Sequence, residues 1–480
     1  MLAIGGGAGA ALLVSHGWRA TLQAEPQAPV RHDHTTSLTA SSSPPFTAFA
    51  ARMPVIPELA PVLRTRTTDY YRLRVQNQNM EILPGFQTPV LTFGGSLPGP
   101  TIRTRVGRRV RVSVENSSQG GTNVHLHGAY VAAEHDGHPM DTIASGASRV
   151  YEYPNAQQGC TLWYHDHSHH TEAEQVYRGL HGVYIIDDPA ERTLGLPSGQ
   201  YDVPITLRDA LFDAGGNMLW GGNPAERDVI LANGKPVPHF PVAARKYRLR
   251  FVNGATERMF HLSLAGGEEM VQIGTDGGLL PAPVPRTGIT IGSAERVEVV
   301  VDFGKYPVGT QLVLNDVLGP VMRFDVTHTA PDPSRVPATL RALPVMPNAT
   351  VTRNIELSFD MTGTMPLGLM DGKPFDPARV DIQIKRGATE IWNIHNADLQ
   401  LGGIKHTFHM HLVQFEVLSR GGLPPTLDDR GRKDTVYVHP GETVQVKAHF
   451  DTEYLGKYLY HCHFLEHSSL GMMAQMEIIP

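Results

Sequence analysis

The sequence predicts an all-β protein built from three β-sandwich or barrel units in tandem. Three observations lead there. Short alternating segments recur along the chain: RRVRVSVEN (Arg108 to Asn116), KYRLRFVN (Lys246 to Asn253), RVEVVVDF (Arg296 to Phe303), TEIWNIHN (Thr389 to Asn396) and ETVQVKAHF (Glu442 to Phe450). Side chains at every second position share a face of a strand, so Val110, Val112 and Val114 would point into one core. Glycine (48) and proline (37) punctuate these segments, and no long amphipathic helix competes. Two Pro-rich breaks, Asp187 to Pro204 and Thr329 to Asn348, divide the chain from Tyr70 onward into three pieces of similar size. A chain of 480 residues is too long for one ordinary core.

The N-terminal Leu2 to Val14 is apolar, Gly/Ala-rich and too short to cross a membrane as a helix. It resembles the hydrophobic core of an export signal, although no basic region or twin arginine precedes it. A periplasmic or extracellular protein is expected, with a flexible tail through residue 51. The expected divisions are 1–51 for signal and tail, then units at 52–190, 191–345 and 346–480. Hydrophobic residues make up 41% and charged ones 18%, with a net charge of -6. That balance describes a soluble globular protein and gives no electrostatic footprint for nucleic acid. Cys160 and Cys462 allow at most one disulfide, and none if Cys462 binds a metal.

The pieces read as internal repeats. In the first, a strand ending at Asn116 is followed by His125-Leu126-His127. In the third, a strand ending at Asn396 is followed by His409-Met410-His411. The middle one has His261-Leu262-Ser263 instead. LWYHDHSHH (Leu162 to His170) likewise parallels YLYHCHFLEH (Tyr458 to His467). The outer copies keep paired histidines and the middle copy has lost them, which suggests metal sites shared between first and last.

The pairs are four HxH units: His125/His127, His165/His167, His409/His411 and His461/His463. On a strand, each places two imidazoles on one face. His461 and His463 would look one way and Cys462 the other. One such pair is unremarkable as surface polarity; four of them are not. A fifth element is His406, three residues before His409. Cys462, His467 and the distant Met472 add a thiolate, an imidazole and a thioether, the ligand types of a blue copper site.

HLHG (His125 to Gly128), WYHDH (Trp163 to His167), HTFHMH (His406 to His411), HCHFLEHSSLGM (His461 to Met472) and the approach LPGPTIRTRVG (Leu97 to Gly107) together resemble the three-domain multicopper oxidases of the bacterial laccase and cuprous oxidase type. The resemblance covers Tyr70 to Pro480. It implies three cupredoxin-like Greek-key domains and four coppers per chain. His406, Cys462 and His467 would hold the type 1 copper, with Met472 axial and Met473 in the core. His125 and His409 would hold the type 2 copper. His127, His165, His167, His411, His461 and His463 would hold the type 3 pair. Electrons from a reductant would enter at type 1, cross Cys462 to His461 and His463, and reduce dioxygen to water. Asp136 resembles the family's acidic residue that relays protons, against a simple Asp-Gly turn role. Ser468 departs from the glutamate that many bacterial relatives carry there, and Glu466 would point elsewhere.

His169 and His170 match no ligand position and read as surface groups or as groups behind the ligands, and His261 reads as structural; His135 and His138 flank Asp136 and could tune the cluster, against the commoner reading of exposed loop histidines. Cys160 reads as a small buried hydrophobe. As a laccase the protein would oxidise phenols and aromatic amines; as a cuprous oxidase, Cu(I). The cuprous oxidases carry a dense methionine-rich insert. Here only Met361, Met365 and Met370 stand in DMTGTMPLGLMDG, which favours the laccase reading. A copper-free binding protein of the same fold is opposed by the full ligand set. A two-domain copper nitrite reductase would not need every type 3 histidine. The resemblance suggests a monomer, since one chain closes the site.

Overall fold

The computed structural model describes residues 43–221 and 223–480. Among these described residues six sheets combine into three two-sheet units, each around its own apolar core. The first core joins Tyr71, Leu73 and Val112 of one sheet to Leu126, Leu162 and Tyr184 of the other. The third joins Trp392 and Ile394 to Phe408, Tyr460 and Cys462.

The repeat read from the histidines recurs in the topology. In the first unit Thr68–Met80 runs parallel to Arg109–Asn116, and Gly99–Arg105 parallel to His181–Asp187. In the third, Val351–Asp360 runs parallel to Thr389–Asn396, and Ile382–Lys385 parallel to Met473–Ile479. The middle unit repeats the pattern with Asp202–Ala210 beside Lys246–Asn253 and His239–Ala244 beside Gly319–Thr329. Parallel neighbours need crossovers, so each unit winds its chain between its two sheets.

Alternation places Val110, Val112 and Val114 inward as expected. Lys246–Asn253 and Arg296–Asp302 depart from it, because their polar faces are buried too. Arg250 Nε donates to Asp202 Oδ1 at 2.6 Å and its Nη1 to Glu298 Oε1 at 2.7 Å. Arg248 Nε reaches Glu298 Oε2 at 2.8 Å. Thr161 of the first unit donates to the same Glu298 at 2.7 Å, so the second face of this sheet lies against the first unit. A buried charge needs such pairing to offset its desolvation.

The tail expected through residue 51 ends earlier. Ser43 Oγ donates to Asp228 Oδ1 at 2.6 Å, Phe46 is buried, and the Met53 amide donates to His239 O at 2.8 Å with its side chain in the middle core. Phe46 and Met53 are anchors that composition did not separate from the Pro/Ser-rich stretch before them. The signal-like Leu2 to Val14 lies outside the described residues. Among the described residues no helix is long and apolar enough to cross a membrane. Cys160 and Cys462 are both free and buried.

Trp392 sits under the strands that carry the third unit's histidines. Its ring meets Tyr460 edge-on at 5.1 Å, and its Nε1 donates to Glu390 Oε2 at 2.9 Å. Trp392→Ala is expected to cost about 3–5 kcal/mol through the void it leaves. Denaturant unfolding of the metal-free protein measures this; a loss below about 1 kcal/mol would mean that the third core does not rest on this ring.

Candidate metal centres

His406–Met410 pairs antiparallel with Gly456–Cys462, with Phe408 opposite Cys462 and His409 opposite His461. Residues opposite each other share a face. Cys462 therefore faces the third core with Phe408, while His409 and His461 face outward, toward the first unit. In the first unit His125–His127 pairs with Cys160–His165 in the same way, His125 opposite His165. The two outward faces meet.

On the core side, Cys462 Sγ lies 3.6 Å from His406 Nδ1 and 3.5 Å from His467 Nδ1, and the two nitrogens are 3.1 Å apart. His467 comes from the short helix Leu465–Ser469. Asp398 Oδ2 holds His406 Nε2 at 2.8 Å, and Phe359 stands edge-on to His467 at 4.8 Å. The Cys462 amide donates to Met472 O at 3.1 Å, and Met472 belongs to the same core as Cys462. Met473 pairs in register with His461 instead.

On the outer side, eight imidazoles converge, four from each unit. His125 and His411 stack at 4.0 Å between ring centres, and His127 and His409 at 3.7 Å. Seven of the eight rings are steered from behind, His463 being the exception. His125 Nδ1 donates to Asp136 O at 2.6 Å, His165 Nδ1 to Asp166 O at 2.8 Å and His409 Nδ1 to Asp434 O at 2.7 Å. His461 Nδ1 donates to Cys462 O at 2.9 Å, which gives the thiolate residue a hydrogen-bonded link to the cluster beside the covalent one. Asp136 Oδ2 takes His411 Nδ1 at 2.7 Å. Gly137 follows at φ 81°, where a Cβ would stand 2.3 Å from Val124 O, so the turn that aims Asp136 requires glycine.

The donor set fits soft, imidazole-binding metal. The Nε2 atoms of His125, His165, His167 and His409 are buried without a hydrogen-bond partner, as is Nδ1 of His127. Burial holds His125, His127, His409, His411 and His463 far below the usual imidazole range, and His165 and His461 at about 3. These rings are neutral and offer lone pairs. Burial pushes the metal-free Cys462 thiol up to about 12 and Asp136 up to about 7. Several trios here bring ligand atoms within 4.8 Å, including His406/Cys462/His467 and His167/His411/His461.

Sequence reasoning missed Glu172, Asp398 and Asp434. Glu172 opens the helix Glu172–Arg178 and places Oε2 2.5 Å from His167 Nδ1. Ser468 donates to its other oxygen. The carboxylate absent at position 468 is thus brought in from the first unit. Burial alone would lower His167, but the charge and hydrogen bond of Glu172, with the charges of Asp136 and Asp166, together outweigh it and the net shift is upward. Glu466 points away, as expected, toward Arg227 (2.6 Å) and Thr256 (2.7 Å). His170 bonds Ser469 O at 3.0 Å, His261 bonds Thr290 at 3.1 Å and His138 bonds Gln475 at 3.0 Å. The two stretches HDHSHH and HLS therefore add no ring to the cluster beyond His165 and His167.

Two multicopper oxidase family models match residues 74–191 and 346–480, the stretches that supply the histidines. The chain is 33% identical to a laccase of Bacillus stratosphericus, over 90% of this chain and 99% of that one. It is 34% identical to a bilirubin oxidase of Albifimbria verrucaria, over 92% and 83%. A crystal structure of a laccase from Pediococcus acidilactici superposes with a TM-score of 0.85 at 30% identity, covering 92% of this chain and 95% of that one. The chain belongs to the multicopper oxidase family, copper-dependent oxidoreductases of cupredoxin-like fold.

Asp398 holds His406 from outside the trio. Asp398→Ala is expected to weaken metal retention at His406/Cys462/His467 by about 10–100-fold in a chelator competition. Retention equal to wild type would show that the core alone orients His406.

Proposed function

We propose that the chain is a laccase-type oxidase with four coppers. The ligands are as the family resemblance assigns them: His406, Cys462, His467 and axial Met472 for type 1; His125 and His409 for type 2; His127, His165, His167, His411, His461 and His463 for type 3. The units at 52–190 and 346–480 each supply half of the trinuclear centre, and 191–345 links them. The observation that carries this reading is a single strand end. Cys462 faces a thiolate-imidazole trio while its neighbours His461 and His463 face the eight-ring cluster.

Bound copper supplies one-electron redox chemistry, so that four electrons from four reductant molecules, with four protons, convert one dioxygen to two waters. The chain supplies orientation, exclusion of water and protons. Imidazoles locked from behind by carbonyls and carboxylates hold their lone pairs in place. Asp136, buried between His125 and His411, holds a proton at Oδ1 or releases it. Glu172 stays ionised, because the His167 charge and the hydrogen bonds from His167 and Ser468 outweigh its burial, and it sets a carboxylate beside His167 where Ser468 has no acid.

Likeness to laccases and a bilirubin oxidase supports small aromatic reductants. Phe359, edge-on to His467, frames such a ring. Cu(I) as reductant has less support. Met370 is buried in the third core, and Asp360 and Asp371 spend oxygens on the backbone of Thr362 and Glu356. The signal-like N-terminus supports export. A monomer suffices, because both halves of the centre lie on one chain.

Reconstituted protein is expected to carry four coppers per chain; a count near one would sink the trinuclear assignment. Cys462→Ser should remove blue absorption and substrate oxidation together, and persistent activity would break the electron path. Asp136→Asn should slow dioxygen reduction about 100-fold or more while the blue band stays; unchanged turnover returns Asp136 to its turn. Oxygen uptake with a phenol and with Cu(I), measured side by side, separates the two reductant classes.

A further inference from the structure

The middle unit carries none of the proposed ligands, yet one of its side chains reaches the centre. Arg296 begins the strand Arg296–Asp302 and is wholly buried. Its Nη1 donates to Asp434 Oδ1 at 2.7 Å and its Nη2 donates to Oδ2. Its Nε donates to Thr161 O in the first unit at 3.0 Å. One guanidinium therefore touches all three units. Asp434 in turn spans both halves of the cluster. Its Oδ1 is 2.9 Å from His127 Nε2, and its carbonyl accepts from His409 Nδ1 at 2.7 Å. Thr435 Oγ1 closes the ring, 3.1 Å from His127 Nε2 and 3.0 Å from Asp434 Oδ1.

His127 stands apart from its neighbours. His125, His165 and His409 bond backward through Nδ1 and leave Nε2 toward the cluster; His127 bonds backward through Nε2 and leaves Nδ1. A carboxylate can only accept, so His127 must carry its proton on Nε2. The surroundings preserve that carboxylate for this task. Lys433 Nζ turns to Glu295 (3.0 Å) and Asp276 (3.4 Å) rather than to Asp434, and the guanidinium, which lies 3.5 Å from Asp276 Oδ1, makes its shorter contacts with Asp434. Room has been kept as well: a Cβ on Gly128 would stand 2.5 Å from Asp434 Oδ2 and 2.8 Å from Arg296 Nη2.

We propose that Arg296 is a positioning residue for the trinuclear centre, acting through Asp434 to commit His127 to Nδ1 and to hold the His127–His409 stack across the seam. This rests on the four-copper reading. It gives the metal-free unit a role beyond linking. The competing view is a plain buried ion pair that only joins the units.

The test compares holoenzymes of wild type, Arg296→Met, Arg296→Lys and Asp434→Asn. The readouts are copper per chain during chelator competition, blue absorption per chain and the paramagnetic resonance of the type 2 copper. In Arg296→Met, trinuclear copper is expected to be held about 10–100-fold more weakly, with an altered type 2 resonance and an unchanged blue band. Arg296→Lys should recover part of the loss. Wild-type retention and an unchanged resonance in Arg296→Met would overturn the inference. So would parallel loss of the blue band, which marks a general structural role. If Arg296→Met fails to fold, the near-isosteric Asp434→Asn decides by the same criteria. A wild-type count below four would overturn the underlying reading, which the variants alone do not touch.

Discussion

Everything in this molecule depends on a seam between two cores that share no strand. The eight imidazoles belong to neither core. They stand on the outer faces of two strand pairs, and become buried only when the first and third units dock. That burial is unfavourable for polar rings taken singly. The seam is therefore closed by other means. Ala173, Val176 and Leu465 pack together where the two short helices meet. Tyr458 Oη donates to Val131 O at 2.8 Å across the same boundary. Glu172 and Ser468 join nearby. The middle unit adds Arg227 against Glu466 and Arg296 against Asp434.

The arrangement divides labour between the two faces of one strand. Facing inward, Cys462 is set among aromatic and aliphatic groups, and its trio is held rigidly by core packing. Facing outward, His461 and His463 enter a polar cluster steered by three carboxylates and several backbone carbonyls. A slip of one residue in the pairing of His406–Met410 with Gly456–Cys462 would exchange these faces. The register is fixed by large side chains on the core side, Phe408 and Tyr460, which cannot be turned outward without emptying the core.

The sequence made the histidines legible because strand period and HxH spacing are both two. The same period located the valine faces of Arg109–Asn116. It did not announce Lys246–Asn253 and Arg296–Asp302, whose polar faces, with Arg248, Arg250, Arg296 and Glu298, are buried too. There a third layer covers the polar face, and nothing local in the sequence announces a layer supplied by another unit. Glu172, Asp398 and Asp434 were missed for a related reason. Each acts on a histidine brought near it by the fold, and an acid at a helix start or before a strand carries no mark of that. Asp136 was found because the resemblance pointed to it. The anchoring of Ser43 to Met53 was hidden by the low-complexity composition around it.

His127 and the Asp434 that holds it are 307 positions apart in the chain. At ordinary rates of synthesis, about 5–20 residues per second, roughly 15–60 s separate their appearance. For that interval the first unit can fold around its own core while its four imidazoles face outward without their counterparts. The eight-ring cluster cannot close on a chain that stops short of His463. Closure of the eight-ring cluster is thus a completion signal: it certifies that the strand Gly456–Cys462 has been made, paired and docked.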